Sequence, residues 1–170
     1  MATTIDFNFR NEVIKDNFSL SYCFQCGTCS GSCPVAIVTK GKYNPRKIIE
    51  ESILGLKDTL VNQQEPSVWE CSTCQLCVEL CPQNVFLTEI FNLIKNKCIE
   101  AGKYPEGFKS QASVILEYGM AVPFQDAILR RRDQLGIPKL EMASTNEIQT
   151  LLKETKLDKK IKYDWSKKEG

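Results

Sequence analysis

The chain has 170 residues, of which 42% are apolar and 25% charged, a composition typical of a folded domain rather than a disordered chain. Its 22 basic and 21 acidic side chains give a formal charge of +1, so no basic surface for nucleic acid is expected. The sequence shows neither a signal peptide nor an apolar run long enough to cross a membrane, which predicts a cytoplasmic protein without membrane contact.

An N-terminal arm, residues 1–20, precedes the first of two cysteine motifs. Motif 1 is residues 23–34 and motif 2 is residues 71–82, and both read C-x2-C-x2-C-x3-C-P. The motif cysteines are Cys23, Cys26, Cys29, Cys33, Cys71, Cys74, Cys77 and Cys81. Nine cysteines and no histidine indicate metal or redox use in a cytoplasmic chain and exclude histidine-ligated haem, Rieske clusters and histidine-based zinc sites.

A helix is predicted between the motifs, with Asn44 as its N-cap and Pro45 in its first turn. Ser67 and Glu70 form a capping-box pattern just before motif 2. After motif 2, an apolar stripe predicts a helix over about residues 84–101 that carries Cys98 as a buried apolar residue.

The rest of the chain predicts further helices and no strand. Glycine and proline signals favour helices over residues 105–118 and about 124–135, and Ser144 with Glu147 forms another capping-box pattern. The run Arg130–Arg132 indicates a solvated helix face or a docking patch for an acidic partner. Tyr163 and Trp165, in the charged tail, favour a contact with a partner.

Three cysteines at i, i+3 and i+6 can bind three corners of a cubane [4Fe–4S] cluster, and the fourth corner needs a cysteine from elsewhere. In two-cluster ferredoxins the fourth cysteine of each motif ligates the other cluster. The motifs therefore predict two [4Fe–4S] clusters with crossed ligands. Cluster 1 would use Cys23, Cys26, Cys29 and Cys81, and cluster 2 would use Cys71, Cys74, Cys77 and Cys33.

The residues around the motifs are expected to tune and shield the clusters. Hydroxyls that could donate hydrogen bonds to cluster sulfur are those of Ser30, Ser32, Ser72 and Thr73. Apolar residues that would limit water access are Val35, Ile37, Val38, Val85, Phe86 and Leu87. Paired zinc knuckles are the alternative, but a third cysteine at +6 and a fourth at +10 do not follow zinc-knuckle spacing.

With its paired motifs and long helical spacer, the sequence resembles the α-helical ferredoxin family, and within it the C subunits of soluble heterodisulfide reductases of methanogens. The resemblance covers about residues 22–102 through the motifs. It implies a mainly α fold, with an α-helical ferredoxin domain over residues 21–102 and a helical C-terminal extension over residues 103–170 that docks to partners.

The resemblance also implies a role as an electron-transfer subunit without catalytic residues of its own. It would relay single electrons from the A subunit, which bears flavin and iron–sulfur clusters, to the catalytic B subunit, which reduces the CoM-S-S-CoB heterodisulfide in methanogenesis. An associated hydrogenase would be a further partner.

Other relatives fit the sequence less well. Succinate dehydrogenase and fumarate reductase iron–sulfur subunits carry a plant-type C-x4-C-x2-C domain, and no cysteine precedes Cys23. Glycolate-oxidase-type subunits carry adjacent cysteines, which are also absent here. A relay subunit of such an oxidoreductase and a free ferredoxin-like carrier remain the alternatives.

Overall fold

The structure of the chain is a computed structural model that describes residues 4–123, 125–139 and 144–165. Within these ranges the chain is mainly helical and contains no strand, so the predicted fold class is confirmed. The chain divides into two compact units, one within Met1–Tyr104 and one within Pro105–Gly170. No helix in the described ranges combines the length and the apolar character needed to span a membrane.

The first unit contains six α-helices and three short turns of other helix types. The α-helices are α1 (Phe7–Asp16), α2 (Thr28–Gly31), α3 (Pro34–Val38), α4 (Pro45–Leu54), α5 (Leu76–Glu79) and α6 (Leu87–Glu100). The other turns are 3₁₀ segments at Phe18–Tyr22 and Val68–Glu70 and a π-helical segment at Asp58–Gln63. Motif 1 continues into α3, and motif 2 is followed by α6, so each motif joins the core through the chain that leaves it.

Helix α1 occupies the segment that the sequence suggested as an N-terminal arm. Its N-cap Asp6 accepts a hydrogen bond from the backbone N–H of Phe9 at 2.9 Å, and the side chains of Phe9 and Val13 are buried in the core of the first unit. The backbone of Asp6 also donates to the carbonyl of Gly55 at 2.8 Å. A Cβ at residue 55 would lie 2.6 Å from the Asp6 carbonyl oxygen, so this close approach requires glycine.

Helix α4 begins as the sequence predicts, because Asn44 accepts a hydrogen bond from the N–H of Lys47 at 3.0 Å. The same Asn44 oxygen accepts from the Ser30 hydroxyl at 2.7 Å, and that hydroxyl in turn accepts from the N–H of Arg46 at 2.9 Å. Two orphan donors of the helix terminus are thereby satisfied, and motif 1 is held against the start of α4. The predicted capping box at Ser67 is wrong, since Ser67 makes no side-chain cap.

Helix α6 supplies the largest share of the buried apolar surface next to motif 2. Ile90, Phe91 and Ile94 are fully buried on one face of the helix, as the apolar stripe predicts. The first turn of α6 is held by the 3₁₀ segment before motif 1, where the Ser19 hydroxyl accepts from the N–H of Phe86 at 3.0 Å. The two motifs are therefore fixed to each other through packed helices and not only through their cysteines.

The second unit contains α7 (Glu106–Tyr118), α8 (Asp126–Gln134), α9 (Thr145–Glu154) and α10 (Leu157–Lys160). Helix α7 ends at Gly119 (φ 74°), as predicted. The predicted start of α8 at Phe124 lies outside the described residues. Ser144 precedes α9 but makes no side-chain cap, so this capping box is also wrong. Trp165 packs within its own unit, donating to Asp158 at 3.1 Å beneath the ammonium group of Lys153.

Candidate metal centre: two four-cysteine cavities

The two motifs share one unusual backbone path. Gln25 and Thr73, each before the second cysteine of its motif, have φ angles of 62° and 57°, and Gly27 and Gln75, each after it, have φ angles of 84° and 63°. Three of these four residues are not glycine, and left-handed backbone costs such residues about 1–2 kcal/mol each. Strain of this kind persists where the surroundings fix it and is typical of ligand-binding segments. The repeated path curls each motif around a central space.

The first cavity has an open space of about 320 Å³ at the concave side of motif 1. Cys23, Cys26 and Cys29 line it together with Cys81, the last cysteine of motif 2. Its apolar walls come from Ile49 of α4 and from residues that follow Cys81. The lining residues are Cys23, Gln25, Cys26, Gly27, Thr28, Cys29, Arg46, Ile49, Cys81, Pro82, Val85 and Leu87.

The second cavity, about 310 Å³, lies at the concave side of motif 2. Cys71, Cys74 and Cys77 line it together with Cys33, the last cysteine of motif 1. The lining residues are Cys33, Pro34, Val35, Tyr43, Pro45, Cys71, Ser72, Cys74, Gln75, Leu76, Cys77, Thr88 and Phe91. The structure thus brings together the same two sets of four cysteines that the sequence groups.

Backbone N–H groups point at several cysteine sulfurs. The last cysteine of each motif accepts one such bond: Cys33 Sγ from Ala36 N at 3.5 Å, and Cys81 Sγ from Val85 N at 3.4 Å. Cys71 Sγ accepts from the N–H of Thr73 at 3.4 Å. Donors of this kind stabilise negative charge on sulfur, which thiolate ligands carry.

The first cavity has polar side chains on its wall. The Gln25 amide donates to Cys23 Sγ at 3.4 Å, and the Cys26 sulfur lies 3.3 Å from the Thr28 hydroxyl. Arg46 lines the cavity and donates to the Gln25 side-chain oxygen at 3.3 Å, and its guanidinium also lies 3.5 Å from Glu50. A cation and two hydrogen-bonding side chains therefore surround this set of cysteines.

The thiol pKa values follow burial. Burial raises the pKa of Cys29 to about 11, and burial together with the neighbouring thiols of Cys71 and Cys29 raises the pKa of Cys77 to about 12. In contrast, the Thr28 hydroxyl lowers the pKa of the exposed Cys26. Buried thiols are protonated at neutral pH, so binding of a metal centre must release protons.

The expected hydroxyl donors are only partly placed for their role. The hydroxyls of Ser30 and Ser32 are engaged elsewhere, with Asn44 and with the carbonyl of Thr28. The side chains that do meet the cavities, Gln25, Arg46 and Tyr43, gave no motif signal because they are neither cysteines nor hydroxyl residues at a repeated position. The sequence pattern shows the ligand set but not its polar surroundings.

The expected apolar shield is also only half present. Val85 and Leu87 are buried against the first cavity, but Ile37 is 65% and Val38 is 80% exposed. Helix α3 turns these two side chains outwards, since Ala36 is its buried residue. Cys98 lies apart from both cavities, fully buried in the core with its thiol 3.8 Å from the carbonyl of Leu60.

The two cavities fit iron–sulfur clusters on the chemistry of their donors. Each offers four sulfur ligands around one space, the ligand type that iron–sulfur clusters require. Within the described ranges, no three side chains of cysteine, aspartate or glutamate are placed to hold a single metal ion. The cysteine sulfurs of each cavity instead surround a space of about 310–320 Å³.

Comparison with known proteins agrees with this geometry. The 4Fe-4S dicluster domain family matches residues 19–85, which include both motifs. Over most of its length the chain is also similar to curated archaeal proteins. One of two iron–sulfur C subunits (number 2) of the CoB–CoM heterodisulfide reductase of Methanocaldococcus jannaschii is 36% identical, with 96% of this chain and 93% of that protein aligned. The chain belongs to the family of heterodisulfide reductase C subunits.

Two further members show the breadth of this family. The C subunit of the H₂:CoB-CoM heterodisulfide,ferredoxin reductase of Methanothermobacter marburgensis is 36% identical over 86% of this chain and 80% of that protein. The C2 subunit of the H₂/formate:CoB-CoM heterodisulfide,ferredoxin reductase of Methanococcus maripaludis is 34% identical over 96% of this chain and 95% of that protein. Membership of the family makes this chain an iron–sulfur subunit of an oxidoreductase, and its dicluster domain makes [4Fe–4S] clusters its cofactor.

Proposed function

We propose that this chain is the electron-transfer subunit of a heterodisulfide reductase and that it holds two [4Fe–4S] clusters, one in each cavity. Cys23, Cys26, Cys29 and Cys81 would bind the first cluster, and Cys71, Cys74, Cys77 and Cys33 the second. The observation that carries the proposal is the pair of separate four-cysteine cavities, each completed by the last cysteine of the other motif.

A [4Fe–4S] cluster supplies one-electron transfer when bound. The protein contributes a rigid pair of sites, because helices α2 and α5, which carry the third cysteines, contact each other. The neighbouring Cys29 is close enough to raise the pKa of Cys77. Two one-electron centres held at such a short distance suit transfer between partners that exchange electrons singly and in pairs.

Each cavity also has one exposed edge. Cys26 and Cys74, the second cysteines of the motifs, are exposed, whereas the fourth ligand Cys33 and the third ligand Cys77 are buried. An exposed cysteine at each cavity offers a point of approach for a different partner. This arrangement supports entry of electrons at one cavity and exit at the other.

The partners that we propose are those of the family. The A subunit, which bears flavin and iron–sulfur clusters, would donate electrons, with an associated hydrogenase as a further member of the assembly. The catalytic B subunit would accept them and reduce the CoM-S-S-CoB disulfide, which takes two electrons and two protons and yields the two free thiols. This chain would bind no disulfide substrate and would contribute no catalytic residue.

The test is reconstitution of the complex under anaerobic conditions. The A and B subunits are mixed with or without this chain, and heterodisulfide reduction by the reduced A subunit is measured. We expect turnover only when the chain is present, and bleaching of its cluster absorbance when the reduced A subunit is added alone. Equal turnover in the absence of the chain, or no reduction of the chain by the A subunit, would contradict the proposed relay.

A further inference from the structure

The second cavity contains a buried hydroxyl that forms no hydrogen bond within the described protein. Tyr43 is 1% exposed and lines this cavity with Cys33, Cys71 and Cys77. Its phenolic oxygen is buried and has no hydrogen-bond partner in the described ranges, although the Cys71 thiol neighbours it. Buried tyrosine hydroxyls usually have a partner, so this one calls for an acceptor that the protein alone does not provide.

The Tyr43 side chain is held in place by its neighbours in the chain. Its backbone N–H donates to the Thr39 hydroxyl at 3.1 Å, and the next residue, Asn44, is the fixed N-cap of α4. Pro45 follows and lines the same cavity. With the backbone fixed on both sides and the ring buried, the hydroxyl is kept at the cavity and away from water.

The protonation state of this phenol makes it a donor. Burial, followed by the nearby thiols of Cys71, Cys33 and Cys77, raises the pKa of Tyr43 far above its usual range. The phenol therefore keeps its proton at every pH at which the protein functions, and sulfur atoms are the acceptors available in this cavity.

We propose that the Tyr43 hydroxyl donates a hydrogen bond to sulfur in the second cavity, on the side of Cys71, and thereby raises the reduction potential of the cluster held there. This inference rests on the proposed function, since it assigns a tuning role at one of the two cluster sites. Tyr43 acts through the sulfur and not on the electron itself, so it is a positioning residue.

The direction of the effect follows from charge. Reduction adds one negative charge to the cluster and its thiolates, and a donor hydrogen bond to sulfur stabilises the more negative state. The hydroxyl therefore favours the reduced form. The first cavity has no tyrosine among its lining residues, so the effect is confined to the second cavity.

The experiment is a potentiometric titration, followed by EPR spectroscopy, of the anaerobically purified full-length protein and its Tyr43→Phe variant. Phenylalanine keeps the ring and removes only the hydroxyl. We expect unchanged iron content and a roughly tenfold shift of one reduction equilibrium toward the oxidised form, about 59 mV lower for one electron. Comparison with Cys33→Ala, which should lack the second-cavity signal, assigns the shifted midpoint.

Two further variants guard the result. Tyr22→Phe removes the hydroxyl of a 53% exposed tyrosine next to Cys23 and should leave both midpoints unchanged. Replacement of Tyr43 by 3-fluorotyrosine keeps the fold and makes the phenol a stronger donor, so this variant should raise the same midpoint. It decides the question even if Tyr43→Phe does not retain its cluster.

Unchanged midpoints in an iron-replete Tyr43→Phe protein, or no upward shift with fluorotyrosine, would overturn the tuning role and leave the proposed function intact. An equal downward shift of both midpoints would also overturn it, because the effect would then not belong to the second cavity. Wild-type protein without two cluster signals would instead contradict the proposed function itself.

Discussion

The two cavities have the same ligands on the same backbone path but different walls. The first is bordered by the cation Arg46 and the amide of Gln25, the second by the buried phenol of Tyr43 and the ring of Phe91. A duplicated motif thus provides equivalent binding, while residues outside the motif make the two sites distinct. The comparison teaches that the motif determines what is bound and the flanking helices determine how readily it accepts an electron.

The helix between the motifs creates most of this difference. Tyr43 and Pro45 at the start of α4 face the second cavity, whereas Arg46 and Ile49 on the same helix face the first. One helix therefore contributes a wall to both sites. The four predictions that follow separate what the cavities share from what differs between them, from the largest expected effect to the smallest.

The largest effect is expected from loss of a crossed ligand. Cys81→Ala should remove the cluster of the first cavity, and Cys33→Ala that of the second, so each protein keeps about half of its iron. Iron analysis and EPR spectra of both variants measure this. Cys98→Ala, at an equally buried cysteine outside both cavities, is the control and should keep all of the iron. Loss of the cluster built by the same motif would refute the crossing.

Exchange of the left-handed residue after the second cysteine tests the shared backbone. Gly27→Ala should destabilise the protein by about 1–2 kcal/mol, because alanine pays the cost of a positive φ angle that glycine avoids. Gln75→Gly should stabilise it by a similar or smaller amount. Anaerobic chemical denaturation followed by cluster absorbance checks both signs.

The environment at residue 27 supports this interpretation of the exchange. A Cβ there would meet only the Arg46 side chain at 3.9 Å, an ordinary contact, so backbone conformation and not a clash should dominate the change. If Gly27→Ala were neutral, the backbone of motif 1 would differ from that of motif 2.

Loss of the N-cap of α4 should affect both cavities alike. Asn44→Ala removes the hydrogen bonds to Lys47 N and to the Ser30 hydroxyl, at a cost of about 1 kcal/mol. The rate of cluster loss in denaturant should rise for both EPR signals. Asn44→Asp, which can still cap the helix, serves as the control and should lose clusters at nearly the wild-type rate. A change in one signal alone would contradict the shared role of this helix start.

The smallest effect is expected from the cation of the first cavity. Arg46→Gln removes a positive charge that favours the reduced state, so one midpoint should fall, by less than about 30 mV. The shift is small because the Arg46 side chain is 38% exposed and paired with Glu50. Lys47→Gln, one residue along the helix and outside the cavity lining, should leave both midpoints in place. A shift of the second-cavity midpoint in Arg46→Gln would contradict the difference between the walls.

The sequence alone predicts the helical fold and the grouping of the cysteines, because both depend on spacing. The cap at Asn44 and the buried face of α6 around Ile90 and Phe91 are local patterns of the same kind. The capping boxes at Ser67 and Ser144 fail because a two-residue pattern does not determine the side-chain rotamers that such a cap needs.

Features that depend on tertiary packing could not be predicted. The burial of Phe9 in α1 depends on the close approach of Asp6 to Gly55, which lies at the end of a different helix. Tyr43 and Arg46 meet the cavities because α4 folds back between two motifs that are far apart in sequence. Such contacts leave no periodic or spacing signal in the chain.

The most direct test of the account is a crystal structure of the anaerobically prepared protein, with anomalous diffraction measured at the iron edge. The account predicts two separate groups of four iron atoms, with Cys33 bonded to the group that Cys71, Cys74 and Cys77 hold. Cys81 should be bonded to the other group. A single metal ion at either site, or Cys33 bonded to the same group as Cys29, would contradict it.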